Sequence, residues 1–256
     1  MRPQILLFGD SITQQSFRSG GWGAAVADIY SRKVDVVLRG YGGYNTRWAL
    51  FLLHHIFPLV SATPPVAVTI FFGANDAALL GGTGKKQHVP VNEYKENLRR
   101  IVQHIKNLSR NTLVVLITPP PIDQQGRREF ARSQYGDKAS ESPDRTNEVT
   151  GAYAEECVNL ARELGLLQSI YGPKCKKLKV GRKILKSFLD SYPCRSIFLH
   201  SDGLHLTPEG NAVVSQEVVK IFDEAGFSDL PYDFPQHSEI DGENPEKAFL
   251  QQCAAV

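Results

Sequence analysis

Residues 5–12 read Ile5-Leu6-Leu7-Phe8-Gly9-Asp10-Ser11-Ile12, and this stretch decides the fold. Four consecutive apolar residues run into Gly-Asp-Ser, and a helical pattern follows. The run is continuous rather than alternating, as expected of a parallel strand covered on both faces. Runs of the same kind recur at 34–38, 66–72 and 113–117. Helix candidates occupy 22–30, 47–55, 91–109, 150–164 and 208–225. In 91–109, Leu98, Ile101, Val102, Ile105 and Leu108 form one stripe at helical spacing. The last helix has a marked start, with Thr207 as N-cap, Pro208 in the first turn and Glu209 at the positive dipole end. This alternation of strands and helices predicts an α/β domain in which helices wrap a parallel sheet.

The chain has 256 residues, of which 42% are hydrophobic and 22% charged, the composition of a globular domain large enough to bury a site. A formal net charge of +2 argues neither for nucleic acid nor for an acidic surface as partner, and no nucleic acid is expected. No apolar run approaches the roughly 20 residues of a membrane span. The apolar stretch after Arg2 is too short for the core of a signal sequence. The N-terminus therefore reads as a first strand, and the protein as cytoplasmic. Cys157, Cys175, Cys194 and Cys253 are widely spaced with no CxxC, so a zinc site is not expected. Cys157 reads as a buried apolar residue. A Cys175–Cys194 bridge is conceivable, but free thiols fit a reducing compartment better.

Three stretches interrupt the pattern. Residues 122–147 are polar and charged and read as an exposed loop or lid. Residues 171–196 carry Lys174, Lys176, Lys177, Lys179, Arg182, Lys183 and Lys186 with no acid until Asp190. From Phe227 the chain is rich in Pro, Asp and Glu with little periodicity, and reads as a tail that wraps the surface or frays. The domain expected is thus 1–226, with 171–196 as an atypical basic insertion and 227–256 as the tail.

Ligands of parallel α/β sheets bind outside the carboxyl ends of the strands. Ser11 stands at such an end, and its turn aims backbone N–H groups at the space where an oxyanion would form. Alone this is weak, because Gly-Asp-Ser also occurs in ordinary turns. Three more elements fall at strand ends in order. The glycines of Arg39-Gly40-Tyr41-Gly42-Gly43-Tyr44 let a backbone N–H approach a substrate oxygen. In Gly73-Ala74-Asn75-Asp76, Asn75 is either a turn residue or an oxyanion donor. In Ser201-Asp202-Gly203-Leu204-His205, an Asp three residues before a His can fix the imidazole tautomer and stabilise the imidazolium. A satisfied structural histidine is the default for any single His, and the other six are left so.

Gly9-Asp10-Ser11, Gly43, Gly73-Ala74-Asn75-Asp76 and Asp202-Gly203-Leu204-His205 together resemble the four sequence blocks of the SGNH (GDSL-type) hydrolases. Arg39 to Leu50, Ser201 to Asn211 and Asp233 to Asp241 resemble the isoamyl acetate-hydrolysing esterase group and its plant GDSL esterase relatives. The resemblance implies a flavodoxin-like three-layer α/β/α fold and a serine esterase of short-chain, acetyl-type esters, with no metal or organic cofactor. It implies Ser11, His205 and Asp202 as catalytic residues. The oxyanion hole would be the N–H of Ser11, the N–H of Gly43 and the side chain of Asn75, with Asp10 structural in its turn. Lipid or carbohydrate acetyl esters are alternative substrates. Arg47 and Trp48 are read as a surface Arg and a core Trp, ahead of a part in the acyl pocket.

The subgroup usually has a fifth strand shortly before the Asp-x-x-His block; here 164–170 is a poor substitute. That departure raises a catalytically silent binding or scaffold protein as the alternative. A nucleotide or flavin binder is disfavoured, since Gly21-Trp22-Gly23 lacks the third glycine of a dinucleotide fingerprint and no P-loop occurs.

Overall fold

The computed structural model describes residues 2–136, 143–166 and 202–253. Among these, four strands form one parallel sheet in the order β2-β1-β3-β4. They are β1 (Gln4–Gly9), β2 (Asp35–Gly40), β3 (Ala67–Phe71) and β4 (Leu113–Leu116). All four expected strands are present. β1 and β3, the two inner strands, are almost entirely buried, whereas β2 at the edge is half-buried.

Alternation along β1 divides the core into two faces. Ile5 and Leu7 pack with α2 (Trp22–Ile29) and α7 (Pro208–Glu224), through Trp22, Val26, Val214, Val218 and Phe222. Leu6 and Phe8 point the other way, toward α3 (Thr46–Ile56), α4 (Val91–Leu108) and α6 (Asn147–Glu163). Each fully buried Leu or Phe contributes about 2 kcal/mol, so the strand needs helices on both sides. The result is the three-layer α/β/α fold.

Local chemistry sets the helix starts. Asn45 caps α3 by accepting the Trp48 N–H at 2.9 Å, and Thr207 caps α7 by accepting the Gly210 N–H at 3.2 Å. Thr146 caps α6, which therefore begins at Asn147, a turn earlier than apolar spacing alone suggests. The Gly165 N–H and Leu166 N–H then bond back to Arg162 and Ala161 carbonyls. Residues 164–166 thus close a helix rather than begin a strand, and 167–170 lie outside the described residues. So do 171–196, with Cys175 and Cys194.

The reading of 122–147 as an exposed loop or lid is corrected at its two ends, while 128–136 are largely exposed and 137–142 lie outside the described residues. Ile122 is fully buried, and its N–H and carbonyl are both held by the Asn147 side chain at 2.7 Å. Asp123 caps α5 (Gln124–Tyr135), and Arg145 is only 3% exposed. Composition misled because charged side chains here face one another around a buried turn. Trp48 is also corrected: it is half-buried and meets Tyr44 edge-on at 5.8 Å, while Arg47 lies on the surface against Glu93.

Beyond α7, Phe227 is buried, and Asp233 bonds the Arg32 carbonyl through its N–H and Arg2 through its carboxylate. A final helix, α8, spans Glu246–Cys253. No helix among the described residues is long and apolar enough to cross a membrane.

Candidate active site

The carboxyl ends of three strands lie level, with Gly9 beside Gly40 on one side and Phe71 on the other. The turns that leave them therefore open onto one place. From β1 the chain enters α1 (Ser11–Gln14), whose cap is Asp10: its Oδ1 accepts the Ile12 N–H at 2.9 Å. Ser11 is the first helical residue and is half-buried.

Ser11 Oγ lies 2.9 Å from His205 Nε2, across 194 positions of sequence. The other ring nitrogen, Nδ1, bonds Asp202 Oδ2. Asp202 Oδ1 accepts the backbone N–H groups of Leu204 and His205, both at 3.0 Å. Burial works to raise the Asp202 carboxyl, but the His205 hydrogen bond and charge and these two N–H bonds hold it well below the usual carboxylate range. An ionised Asp202 only accepts, so Nδ1 must carry the proton and Nε2 is free to accept from the Ser11 hydroxyl.

The 202–205 loop is held by the start of α5. Asp123 donates its N–H to the Gly203 carbonyl at 3.1 Å, and Arg127 donates to the Asp202 carbonyl at 3.2 Å. Gly203 has φ +66°, and a Cβ there would stand 2.3 Å from the Asp123 carbonyl oxygen. The loop and α5 approach at a distance only glycine allows.

After β2, Tyr44 N–H closes a turn on the Tyr41 carbonyl at 3.1 Å, with Gly43 at its third position and φ +80°. The Gly43 carbonyl accepts from Gln87 Nε2 at 3.0 Å. After β3, Asn75 lies only 3% exposed and donates from Nδ2 to the Tyr44 carbonyl at 2.8 Å. One amide hydrogen of Asn75 is thereby committed and a second remains. Its Oδ1 accepts from Arg145 Nη2 at 3.0 Å. The same guanidinium donates to the Ala74 carbonyl at 2.7 Å, to Gln87 Oε1 at 2.7 Å and to Asp144 Oδ2 at 2.6 Å. Ser11, Asp202 and His205 thus come together, and the turns bearing Gly43 and Asn75 are tied to each other. Arg145, Gln87, Asp144 and Arg127 escape sequence reasoning. An Arg beside an Asp in a polar stretch looks the same whether it is solvated or buried.

Beneath the site sit two buried carboxyls. Burial pushes Asp10 and Asp76 up from 3.8 to about 7 against their hydrogen bonds, from Ile12 to Asp10 and from Thr46 to Asp76. Oδ2 of each is buried with no partner among the described residues. Between about pH 4 and 7 the native chain keeps protons that the unfolded chain has released, so these groups make stability fall as pH rises through that window. Asp76→Asn, which stays neutral, should gain on wild type as pH rises. The difference in Tm, variant minus wild type, is expected to become more positive by roughly 4 °C between pH 5 and pH 8. Thermal melts at both values check this, and a constant difference would rule it out.

Cys157 is free and buried, its thiol pushed up to about 12 by burial. Among the described residues no cluster of His, Cys, Asp or Glu is arranged to hold a metal ion.

Comparison with known proteins adds to this geometry. The family profile described as GDSL-like Lipase/Acylhydrolase matches residues 5–218. A GDSL esterase/lipase of Arabidopsis thaliana is 61% identical, over 99% of this chain and all of that protein. The isoamyl acetate-hydrolyzing esterase 1 homolog of Bos taurus is 40% identical, over 97% of this chain and 92% of the relative. Among solved structures, a lipase/acylhydrolase from Enterococcus faecalis superposes with a TM-score of 0.61 at 26% identity, covering 92% of this chain and all of that one.

Proposed function

The chain belongs to the GDSL-like lipase/acylhydrolase family and is a carboxylic ester hydrolase, and on that premise we propose that it cleaves short-chain, acetyl-type esters through an acyl-enzyme on Ser11. The observation that carries this reading is the contact of Ser11 Oγ with His205 Nε2 at 2.9 Å, with Asp202 behind the ring. The name of the bovine relative supports an acetate ester as the substrate class.

In the first half-reaction His205 Nε2 takes the Ser11 proton as Oγ forms a bond to the ester carbonyl carbon. The negative charge then on the carbonyl oxygen meets the N–H of Ser11, the N–H of Gly43 and the second amide hydrogen of Asn75. The carbon–alkoxy bond breaks, and His205 gives its proton to the leaving alcohol. In the second half-reaction water gives a proton to His205, attacks the acyl carbon and releases the acid, and the proton returns to Ser11. Asp202 holds the tautomer and balances the imidazolium throughout. The reading includes a hydrolase domain over 1–226 with a tail over 227–256, and a cytoplasmic location, supported by the wide cysteine spacing.

The test is hydrolysis of p-nitrophenyl acetate and butyrate by the purified chain, with fluorophosphonate labelling. Turnover faster on acetate, with one label per chain on Ser11, is the expected result. An unlabelled, inactive but folded chain would instead make it a silent member of the family.

A further inference from the structure

The buried Arg145 is tied to two of the three donors that the preceding reading places in the oxyanion hole, Asn75 directly and Gly43 through Gln87. It has no role in the triad, it contacts neither Ser11 nor His205 in any bond described above, and its position in the chain is 70 residues from Asn75. Its guanidinium nevertheless meets four acceptors at once: the Ala74 carbonyl, Asn75 Oδ1, Gln87 Oε1 and Asp144 Oδ2.

Two of these acceptors determine where a donor points. An Asn side chain can present its oxygen or its NH₂ to a given place. With Arg145 donating to Oδ1, only the oxygen can occupy that side, so the NH₂ group must face away from the guanidinium. One of its hydrogens goes to the Tyr44 carbonyl at 2.8 Å, which leaves the other fixed in direction. A cation on Oδ1 also polarises the amide and strengthens the remaining N–H as a donor. Gln87 extends the same control to the neighbouring turn. Its Oε1 is held by Arg145 at 2.7 Å, which turns its Nε2 onto the Gly43 carbonyl at 3.0 Å. The Gly43 turn is thereby set against Asn75 rather than left to its own flexibility.

The guanidinium is in turn fixed from behind. Asp144 pairs with Arg145 and with Arg127, and Arg127 donates to the Asp202 carbonyl at 3.2 Å. The Arg145–Asp144–Arg127 chain therefore runs from the oxyanion side of the site to the loop that carries His205.

We infer that Arg145 is a positioning residue for catalysis, setting the Asn75 amide directly and the Gly43 turn through Gln87, in register with the His205 loop. This inference rests on the serine-esterase reading above. It is distinct from a role in folding alone, because the guanidinium would then act on stability and not through Asn75.

The experiment is steady-state hydrolysis of p-nitrophenyl acetate by Arg145→Lys, Asn75→Ala and the double variant, each beside wild type. Lysine keeps the charge against Asp144 but cannot serve four acceptors in the plane of a guanidinium. Arg145→Lys alone should lower kcat by about 10²-fold, near the loss of one oxyanion donor, with KM within about threefold. In the Asn75→Ala background the same change should lower kcat by no more than about tenfold, the part that acts through Gly43. Equal losses in the two backgrounds, or a single variant within about threefold of wild type, would overturn the inference and leave the esterase reading intact. A wild-type chain without turnover would overturn both. Should Arg145→Lys fail to fold, the half-buried Gln87→Leu decides: kcat about tenfold down at steady KM is expected, and unchanged kcat would overturn the inference.

Discussion

His205→Ala is expected to lower kcat for p-nitrophenyl acetate by about 10⁶, the scale of losing the base of a Ser–His pair. The reason is the geometry of one contact. Ser11 Oγ has His205 Nε2 at 2.9 Å as its proton acceptor, and without it the hydroxyl attacks as a neutral alcohol. Asp202→Asn should cost less, about 10⁴. Oδ1 of an Asn still accepts the Leu204 and His205 N–H groups, so the loop keeps its shape. The NH₂ then faces Nδ1, which must accept, and the ring proton moves to Nε2. The ring is in place but holds the wrong tautomer to take the Ser11 proton. Matching circular dichroism for both variants, with the two losses in this order, is the measurement. An Asp202→Asn loss of only a few-fold would mean that Asp202 holds the loop, which Asn still holds, rather than the tautomer.

Asn75→Ala is expected to lower kcat by about 10²–10³ while the chain stays folded. The oxyanion exists only in and around the tetrahedral state, so a donor aimed at it acts on kcat more than on KM. The fold should tolerate the change, because the turn around Asn75 has other ties: Ala77 and Ala78 N–H groups bond the Gly73 and Asn75 carbonyls at 3.0 Å. The variant does leave Arg145 one acceptor short and the Tyr44 carbonyl without its donor, so a modest fall in Tm accompanies the kinetic loss. Turnover within a few-fold of wild type would remove Asn75 from the mechanism.

How much of this was legible beforehand differs between the parts of the site. The strands announced themselves by continuous apolar runs, which burial on both faces demands of β1 and β3 and which even half-buried β2 at the edge carries. Helix α7 announced its start through Thr207, Pro208 and Glu209, and α4 its period through the stripe from Leu98 to Leu108. Ser11, Asn75 and the Asp202–His205 pair sat where strand ends and a helix start put them, so order along the chain already suggested convergence at one edge. Element ends were less legible: α6 starts at Asn147 because Thr146 caps it, which apolar spacing does not register. Trp48 illustrates the converse error, since a large aromatic on an apolar helix need not face the core.

By itself the amino-acid sequence determined that apolar runs and helical stripes must form an α/β domain with helices wrapping a parallel sheet, and which short turns leave the strand ends. Those are consequences of local periodicity and backbone chemistry, which act over a few residues at a time. Only the tertiary structure decided that Ser11 and His205 stand 2.9 Å apart, and that Arg145, drawn from a stretch that reads as solvated, reaches Asn75 from 70 residues away. A guanidinium has the same composition in water as in a core. What gives it a role is the set of acceptors around it, and that set is assembled by chain crossings that no local pattern encodes.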